Sequence, residues 1–174
     1  MTRTPLRLLV TGASGSGTST LARALADALD LVVLDSDDFY WAPDAAPFTV
    51  KRGAAERLAL LQAALAAPRV VLGGSILDWG AAVEDAFDLI VFLYVPADVR
   101  IARLAARETA RLGHADPAFL AWAAAYDAGS PAGGRSLARH RAWLAARRCP
   151  VLEIAGEHAV PALVARVHAV VAPA

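Results

Sequence analysis

The stretch Gly12-Ala13-Ser14-Gly15-Ser16-Gly17-Thr18-Ser19-Thr20 places three glycines among five hydroxyl side chains. A turn of this kind can wrap an anion in consecutive backbone N–H groups, and a helix opening behind it adds the positive end of its dipole. Gly12, Gly17 and Ser19 stand at the spacing of the phosphate-binding template G-x-x-x-x-G-K-[ST], whose last hydroxyl coordinates Mg²⁺. The lysine of that template is replaced by Thr18. Threonine can hydrogen-bond a phosphate oxygen but cannot neutralise its charge, and phosphoryl transfer depends chiefly on electrostatic stabilisation. The run does not fit G-x-G-x-x-G, which argues against a dinucleotide site. Gly12 through Thr20 are therefore candidate phosphate-binding residues, and Ser19 is a candidate metal ligand.

A cation must then come from elsewhere. The chain has sixteen arginines and one lysine, Lys51, in Phe48-Thr-Val-Lys-Arg52. A compact ammonium on a flexible stem differs in kind from a planar guanidinium fork. Lys51 either supplies the charge that Thr18 lacks or holds the phosphate of an acceptor; the plain alternative is an exposed lysine at a helix start. Arg52 is a similar candidate. Asp35, Asp37 and Asp38 follow a short apolar run and can hold Mg²⁺ through water, orient an acceptor hydroxyl or accept its proton. Asp35 and Asp37 alternate across a strand end and should share a side, while Asp38 should point elsewhere and cap the following turn. Phe39, Tyr40 and Trp41 are either a stacking surface for a base or sugar, or core. Arg100, Arg103, Arg107 and Arg111 are spaced by three, four and four, one stripe of a helix. Such a stripe is either a solvated face or a phosphate clamp, the latter assigned to Arg103 and Arg107. Arg135 follows the glycine-rich Gly129–Gly134 segment, where a mobile lid could end. The four histidines and the single cysteine make no metal-ligand spacing and are read as structural or solvent-facing.

The elements that must position these residues alternate. Leu6–Val10 reads as a buried strand entering the glycine loop, and Thr18–Leu29 as a helix with apolar positions near helical spacing. Further strands are expected at Leu31–Leu34, Arg69–Leu72, Asp88–Val95 and Pro150–Ile154. Helices are expected from Arg52 to about Ala66, after Pro96 to about Leu112, around Pro117–Tyr126, over Arg135–Arg147 and over His158–Val171. Alternating strands and helices imply right-handed crossovers and a parallel sheet between helix layers. Ligands of such folds bind outside the carboxyl ends of the strands, where the glycine loop, Asp35–Asp38 and Gly73-Gly74-Ser75 all fall.

The totals agree with that class. At 174 residues the chain reads as one domain with a sizeable core. Seventeen basic residues balance seventeen acidic ones, so net charge argues neither for nucleic acid nor for an anionic membrane. The distribution is uneven: six aspartates and no basic residue between Asp27 and Asp44, nine arginines against four acids between Ala97 and Arg148. No apolar run approaches the roughly 18–20 residues of a membrane span. The N-terminus lacks a signal peptide's features, and one cysteine fits a reducing compartment, so the expected location is the cytoplasm.

Together the glycine loop, LDSDDFYW, APFTVKR, VVLGGSILDWG, FDLIVFLYVP, the arginine helix and PVLEIAG resemble the P-loop kinases of nucleoside monophosphates and small metabolites. The likeness is to the adenylate-kinase-like subgroup, whose loops are also of GASGSGT type. It implies a three-layer αβα sandwich with strand order 2-3-1-4-5, a single domain over 1–174, and a lid segment at about 113–134. It implies ATP and Mg²⁺ as cofactors, with a small-molecule phosphoryl acceptor. It carries acceptor orientation or deprotonation to Asp37, with Asp35 supporting or metal-linked, and lid arginines to Arg103, Arg107 and Arg135. Adenine contact is implied near Ala155 and Gly156. The chain departs from the family at Thr18 and at Gly73-Gly74-Ser75, where many nucleotide kinases carry an aspartate; Asp78 comes three residues late. The rival reading is a nucleotide-binding sensor or partner that has lost transfer; a hydrolytic switch lacks an evident water-positioning residue.

Overall fold

The computed structural model of the chain describes residues 4–44, 49–129 and 134–172. Five strands, β1 (Leu6–Gly12), β2 (Val32–Asp35), β3 (Arg69–Gly73), β4 (Leu89–Tyr94) and β5 (Val151–Ala155), form one sheet in the order β2-β3-β1-β4-β5. Every neighbouring pair is parallel. The described helices are α1 (Thr18–Leu29), α2 (Ser36–Tyr40), α3 (Ala54–Ala64), α4 (Ala81–Glu84), α5 (Ala97–Leu112), α6 (Pro117–Ala124), α7 (Leu137–Ala145) and α8 (Val160–Val171). The expected architecture and strand order are observed.

Alternation along the strands divides the core in two. Leu8 and Val10 of β1, Val71 of β3 and Leu89, Val91 and Leu93 of β4 pack with Leu21 and Leu25 of α1 and Val167 of α8. Leu9, Val70, Leu72, Ile90 and Phe92 belong to the opposite face, with Leu61 of α3, Val83 of α4 and Trp143 of α7. A strand covered on both faces needs apolar side chains at every position, which is why Leu89-Ile-Val-Phe-Leu93 carries no polar residue. Phe92 is fully buried, and truncating such a side chain costs roughly 3–5 kcal/mol. On that second face a small polar group fixes α4 against α7. Trp143 Nε1 donates to Glu84 Oε2 at 2.9 Å, and Arg147 Nη1 reaches both Glu84 Oε2 and Asp85 Oδ1 at 3.0 Å.

The structure corrects several local expectations. Asp35–Asp38 does not continue as a strand end: Asp35 ends β2 and caps α2, its side chain accepting from Asp37 N at 3.1 Å. The cap is thus Asp35 rather than Asp38. Asp37 lies on a helix, so strand alternation does not relate it to Asp35. The helix expected from Arg52 starts at Ala54, because the chain before it pairs back on Trp41. Trp41 and Lys51 form an antiparallel bridge, with Arg52 N bonded to Tyr40 O and Ala42 N to Val50 O, each at 2.9 Å. The helix expected from Arg135 starts at Leu137, because Ser136 is its N-cap. The short α4 was not expected. Of the proposed lid segment, α6 is described and is capped by Asp116 with Pro117 in its first turn; residues 130–133 lie outside the described residues. So do residues 45–48, which include part of the APFTVKR stretch.

Candidate active site

β1 delivers the glycine loop and α1 carries it away, so the loop bridges the sheet's carboxyl edge and a helix N-terminus. Gly15 and Gly17 have φ of 83° and 93°, a region that glycine enters without steric cost. Ser16 turns inward, its N and Oγ both donating to Ala13 O at 3.1 and 2.7 Å. Gly17, at the N-cap of α1, makes no side-chain cap. The first N–H groups of α1 are therefore not satisfied by a capping side chain and suit an anion. From beneath, Arg100 holds the loop in place. Its Nε donates to Val95 O at 2.9 Å, its Nη1 to Ser14 O at 3.3 Å and Ala123 O at 3.2 Å, and its Nη2 to Asp127 Oδ1 at 3.2 Å.

Ser19, one residue into α1, donates from Oγ to Asp35 Oδ2 at 2.8 Å. The two candidate metal ligands are thereby brought together, and they are hard oxygen donors of the type Mg²⁺ takes alongside water and phosphate. Among the described residues no group of three or more His, Cys, Asp or Glu side chains converges as a metal site. Ser19, Arg23, Asp35 and Asp38 line a cavity of about 120 Å³ beside this pair. The missing aspartate after β3 has a steric cause. A Cβ on Gly73 would lie 3.0 Å from Ala22 Cβ, and Gly74 combines a φ of 116° with a collision against the Ser36 hydroxyl. Ser75 N uses that same hydroxyl as its acceptor at 3.1 Å.

Asp37 faces a different set of neighbours. Burial and the adjacent Asp35 raise its pKa above the ordinary carboxylate value, while a hydrogen bond from Trp41 and the Arg135 charge pull the other way. Lys51 is exposed, its Nζ 5.6 Å from the centroid of the Tyr40 ring. The structure thus brings Lys51 to Tyr40, at the end of α2, and Arg52 pairs with Glu56 at 2.8 Å. The aromatic trio is half-buried. Tyr40 stacks on Trp79 with centroids 6.1 Å apart.

Arg57 was missed from sequence. Its guanidinium carbon lies 4.9 Å from the Tyr40 centroid and 4.5 Å from that of Trp79, and its Nε is buried with no hydrogen-bond partner among the described residues. One arginine among sixteen, on a helix with no spacing pattern, carries no signal of its own; only the packing of Tyr40 and Trp79 around it does.

The arginine stripe divides by environment. Arg100 is fully buried, whereas Arg103 pairs with Glu157 at 2.8 Å, and Arg107 and Arg111 both pair with Glu108 at 3.0 Å. Arg135 reaches the glycine loop, its Nη2 donating to Gly12 O at 2.9 Å. Burial lowers its pKa, with Tyr126 and Asp37 opposing that shift and Arg100 adding to it. His140 is buried between two hydroxyls, with Nε2 3.1 Å from Thr11 Oγ1 and Nδ1 2.8 Å from Tyr126 OH. Desolvation, with Arg135 nearby, depresses its pKa to about 3, so it is a neutral structural histidine. Asp78 pairs with Arg139 at the surface. Ala155 ends β5, and Gly156 N bonds Tyr94 O at 2.9 Å.

This sheet order, with a glycine loop between β1 and α1, is the fold of the P-loop kinases. Similar solved structures include a gluconokinase from Sinorhizobium meliloti, at TM-score 0.58 and 19% identity over 97% of this chain and 92% of that one. A shikimate kinase from Acinetobacter baumannii in complex with shikimate matches at TM-score 0.61 and 17% identity, covering 97% and 93%. No family model matches the chain. The chain belongs to the family of the uncharacterized protein YqaC of Bacillus subtilis, with which it is 40% identical over 170 residues, 91% of this chain and 93% of that protein. Among the described residues no helix is long and apolar enough to cross a membrane.

Proposed function

We propose that the chain is an ATP- and Mg²⁺-dependent phosphotransferase that moves the γ-phosphate to a small acceptor. In this reading it is a one-domain, cytoplasmic P-loop kinase of the adenylate-kinase-like type in which threonine replaces the loop lysine. The observation that carries it is the Ser19–Asp35 hydrogen bond beside an uncapped helix N-terminus. Residues Gly12–Thr20 hold the β- and γ-phosphates through backbone N–H groups. Ser19 and Asp35 hold Mg²⁺, which neutralises charge on the phosphate oxygens. Asp37 orients an acceptor hydroxyl and takes its proton.

Lys51 stands with Arg57 around Tyr40, which supports its second assigned role, gripping an anionic group of the acceptor. Arg103 and Arg107, presented on α5, are further candidates to clamp the phosphates; the exposed Arg103–Glu157 pair is weak enough to exchange, and the buried Glu108 keeps Arg111 as a partner if Arg107 leaves it. Arg135 is already at the loop. The acceptor is a hydroxyl metabolite carrying an anionic group, because Asp37 is hydrogen-bonded by Trp41, which packs edge-on to the Tyr40 ring that Lys51 and Arg57 flank. ADP release from Mg·ATP, followed across nucleoside monophosphates, nucleosides, sugar acids and hydroxy acids, tests this. Stimulation by an anionic hydroxyl compound is expected, and a rate indifferent to every acceptor would count against it.

A further inference from the structure

With Thr18 in place of lysine the loop lacks a cation of its own, and three side chains compete for that role. Lys51 is exposed and faces the Tyr40 ring. Arg100 is fully buried, but its Nε and both Nη groups already serve Val95, Ser14, Ala123 and Asp127. Arg135 differs from both. Its Nη2 donates to the carbonyl of Gly12, the residue that opens the loop, and its Nε is buried with no hydrogen-bond partner among the described residues.

We infer that Arg135 is the substitute cation of this phosphate loop, taking the β- and γ-phosphate oxygens that a lysine at position 18 would otherwise hold. The inference rests on the phosphotransferase reading and deepens it. A buried N–H without an acceptor is costly, and a phosphate oxygen would satisfy it. The Gly12 carbonyl is a neutral acceptor, whereas a guanidinium–phosphate hydrogen bond is roughly twice as strong and can use two prongs of the fork. Exchange of one for the other is therefore favourable.

The backbone that carries Arg135 is also fixed. The next residue, Ser136, caps α7 by accepting from Arg139 N at 3.3 Å, and Leu137 N bonds Tyr126 O at 2.8 Å. Three residues further on, His140 ties α7 to Thr11, the residue before Gly12, and to Tyr126. Arg135 is thus anchored against the end of β1 before any nucleotide arrives. Such preorganisation is what an electrostatic role requires. Tyr126 and Arg135 also line a small recess together with Ser14 of the loop and Trp122.

Calorimetric titration of the full chain with Mg·ATP and Mg·ADP tests this. Arg135→Gln keeps a donor for Gly12 O but removes the charge. It should lose about tenfold or more in ATP affinity, in line with loss of a preorganised donor to phosphate, and lose less for ADP. Adding Thr18→Lys to Arg135→Gln should restore ATP affinity to within about threefold of wild type, since the lysine then sits where the motif places it. Arg148→Ala removes the same charge next to Pro150 and β5, at the opposite end of the sheet, and should leave ATP affinity unchanged. Wild-type affinity in Arg135→Gln overturns the inference and leaves the phosphotransferase reading standing. A loss that Thr18→Lys does not restore overturns the substitution. If the wild type binds no ATP, the phosphotransferase reading falls and the inference falls with it.

Discussion

Ser19 Oγ and Asp35 Oδ2 lie 2.8 Å apart, joining the first turn of α1 to the end of β2. The carboxylate that meets the loop hydroxyl thus comes from the strand next to β3 and not from β3 itself. The reason is space: Gly74 has a positive φ and passes so close to the Ser36 hydroxyl that it cannot carry a side chain, and a Cβ on Gly73 would press on Ala22. Asp35 is doubly committed, because its other oxygen caps α2.

That double role separates two substitutions. Asparagine is as good an N-cap as aspartate, so Asp35→Asn should leave stability within about 0.5 kcal/mol of wild type, whereas Asp35→Ala should cost about 1 kcal/mol. Both should lower the transfer rate by about 10²-fold, since an electrostatic partner of the phosphates is lost. Urea unfolding and steady-state rates on the same preparations check the split; equal stability loss in both variants would contradict the capping assignment.

Gly74→Ala should be among the more damaging single-methyl additions in the chain. The strained φ alone costs about 1–3 kcal/mol, and the Ser36 collision adds to it. Ser36→Ala in the Gly74→Ala background should recover part of that loss. Denaturation midpoints of the two variants and wild type measure this directly.

Much of this was readable before the fold was known, for identifiable reasons. The buried stretches of β1, β3 and β4, Leu8–Val10, Val70–Leu72 and Leu89–Leu93, are apolar at every position because both faces are covered, and glycines end β1 and β3. The glycine loop and Ser19 stood out because motif spacing is local, and Asp35 because it ends a short apolar run. The role of Asp37 came from the resemblance, while the strand alternation expected to relate it to Asp35 is absent because Asp35 caps the helix that holds Asp37. Arg57 was invisible, because its distinction comes from Tyr40 and Trp79, 17 residues before and 22 after it in the chain. The arginine stripe showed the converse failure: correct helical spacing could not reveal that Arg100 is buried among carbonyls while Arg103 and Arg107 face outward.

His140 should give the fold a measurable acid sensitivity. Its pKa is about 3 in the folded chain against 6.5 as reference, so between those values the unfolded chain binds the extra proton. The histidine's contribution is complete above about pH 6.5 and is lost as pH falls toward 3, at up to about 1.4 kcal/mol per pH unit. Asp37 acts in the opposite sense, because its raised pKa lets the folded state hold a proton more readily. His140→Gln should therefore be less stable at pH 7 but lose less on acidification. Parallel stability profiles for wild type and variant would contradict a buried neutral histidine.

Arg57→Ala should raise the acceptor KM by about tenfold or more, as expected when a charged partner of an anionic group is removed, and leave the KM for ATP within about twofold. Lys51→Ala should act in the same direction. Initial rates with each substrate varied separately distinguish this from a structural effect, which would move both constants or lower the folding midpoint. A change confined to ATP would instead assign these cations to the nucleotide.

The most direct test of the account is transfer of label from γ-labelled ATP, with Mg²⁺, to a panel of nucleoside monophosphates, nucleosides and anionic hydroxyl metabolites, comparing wild type with Asp37→Asn. The account predicts a labelled product with at least one hydroxyl acceptor, reduced by about 10²–10⁴-fold in Asp37→Asn as general-base catalysis is lost. Measurable ATP binding with no labelled product on any acceptor would contradict it, and would make the chain a nucleotide-binding protein without transfer.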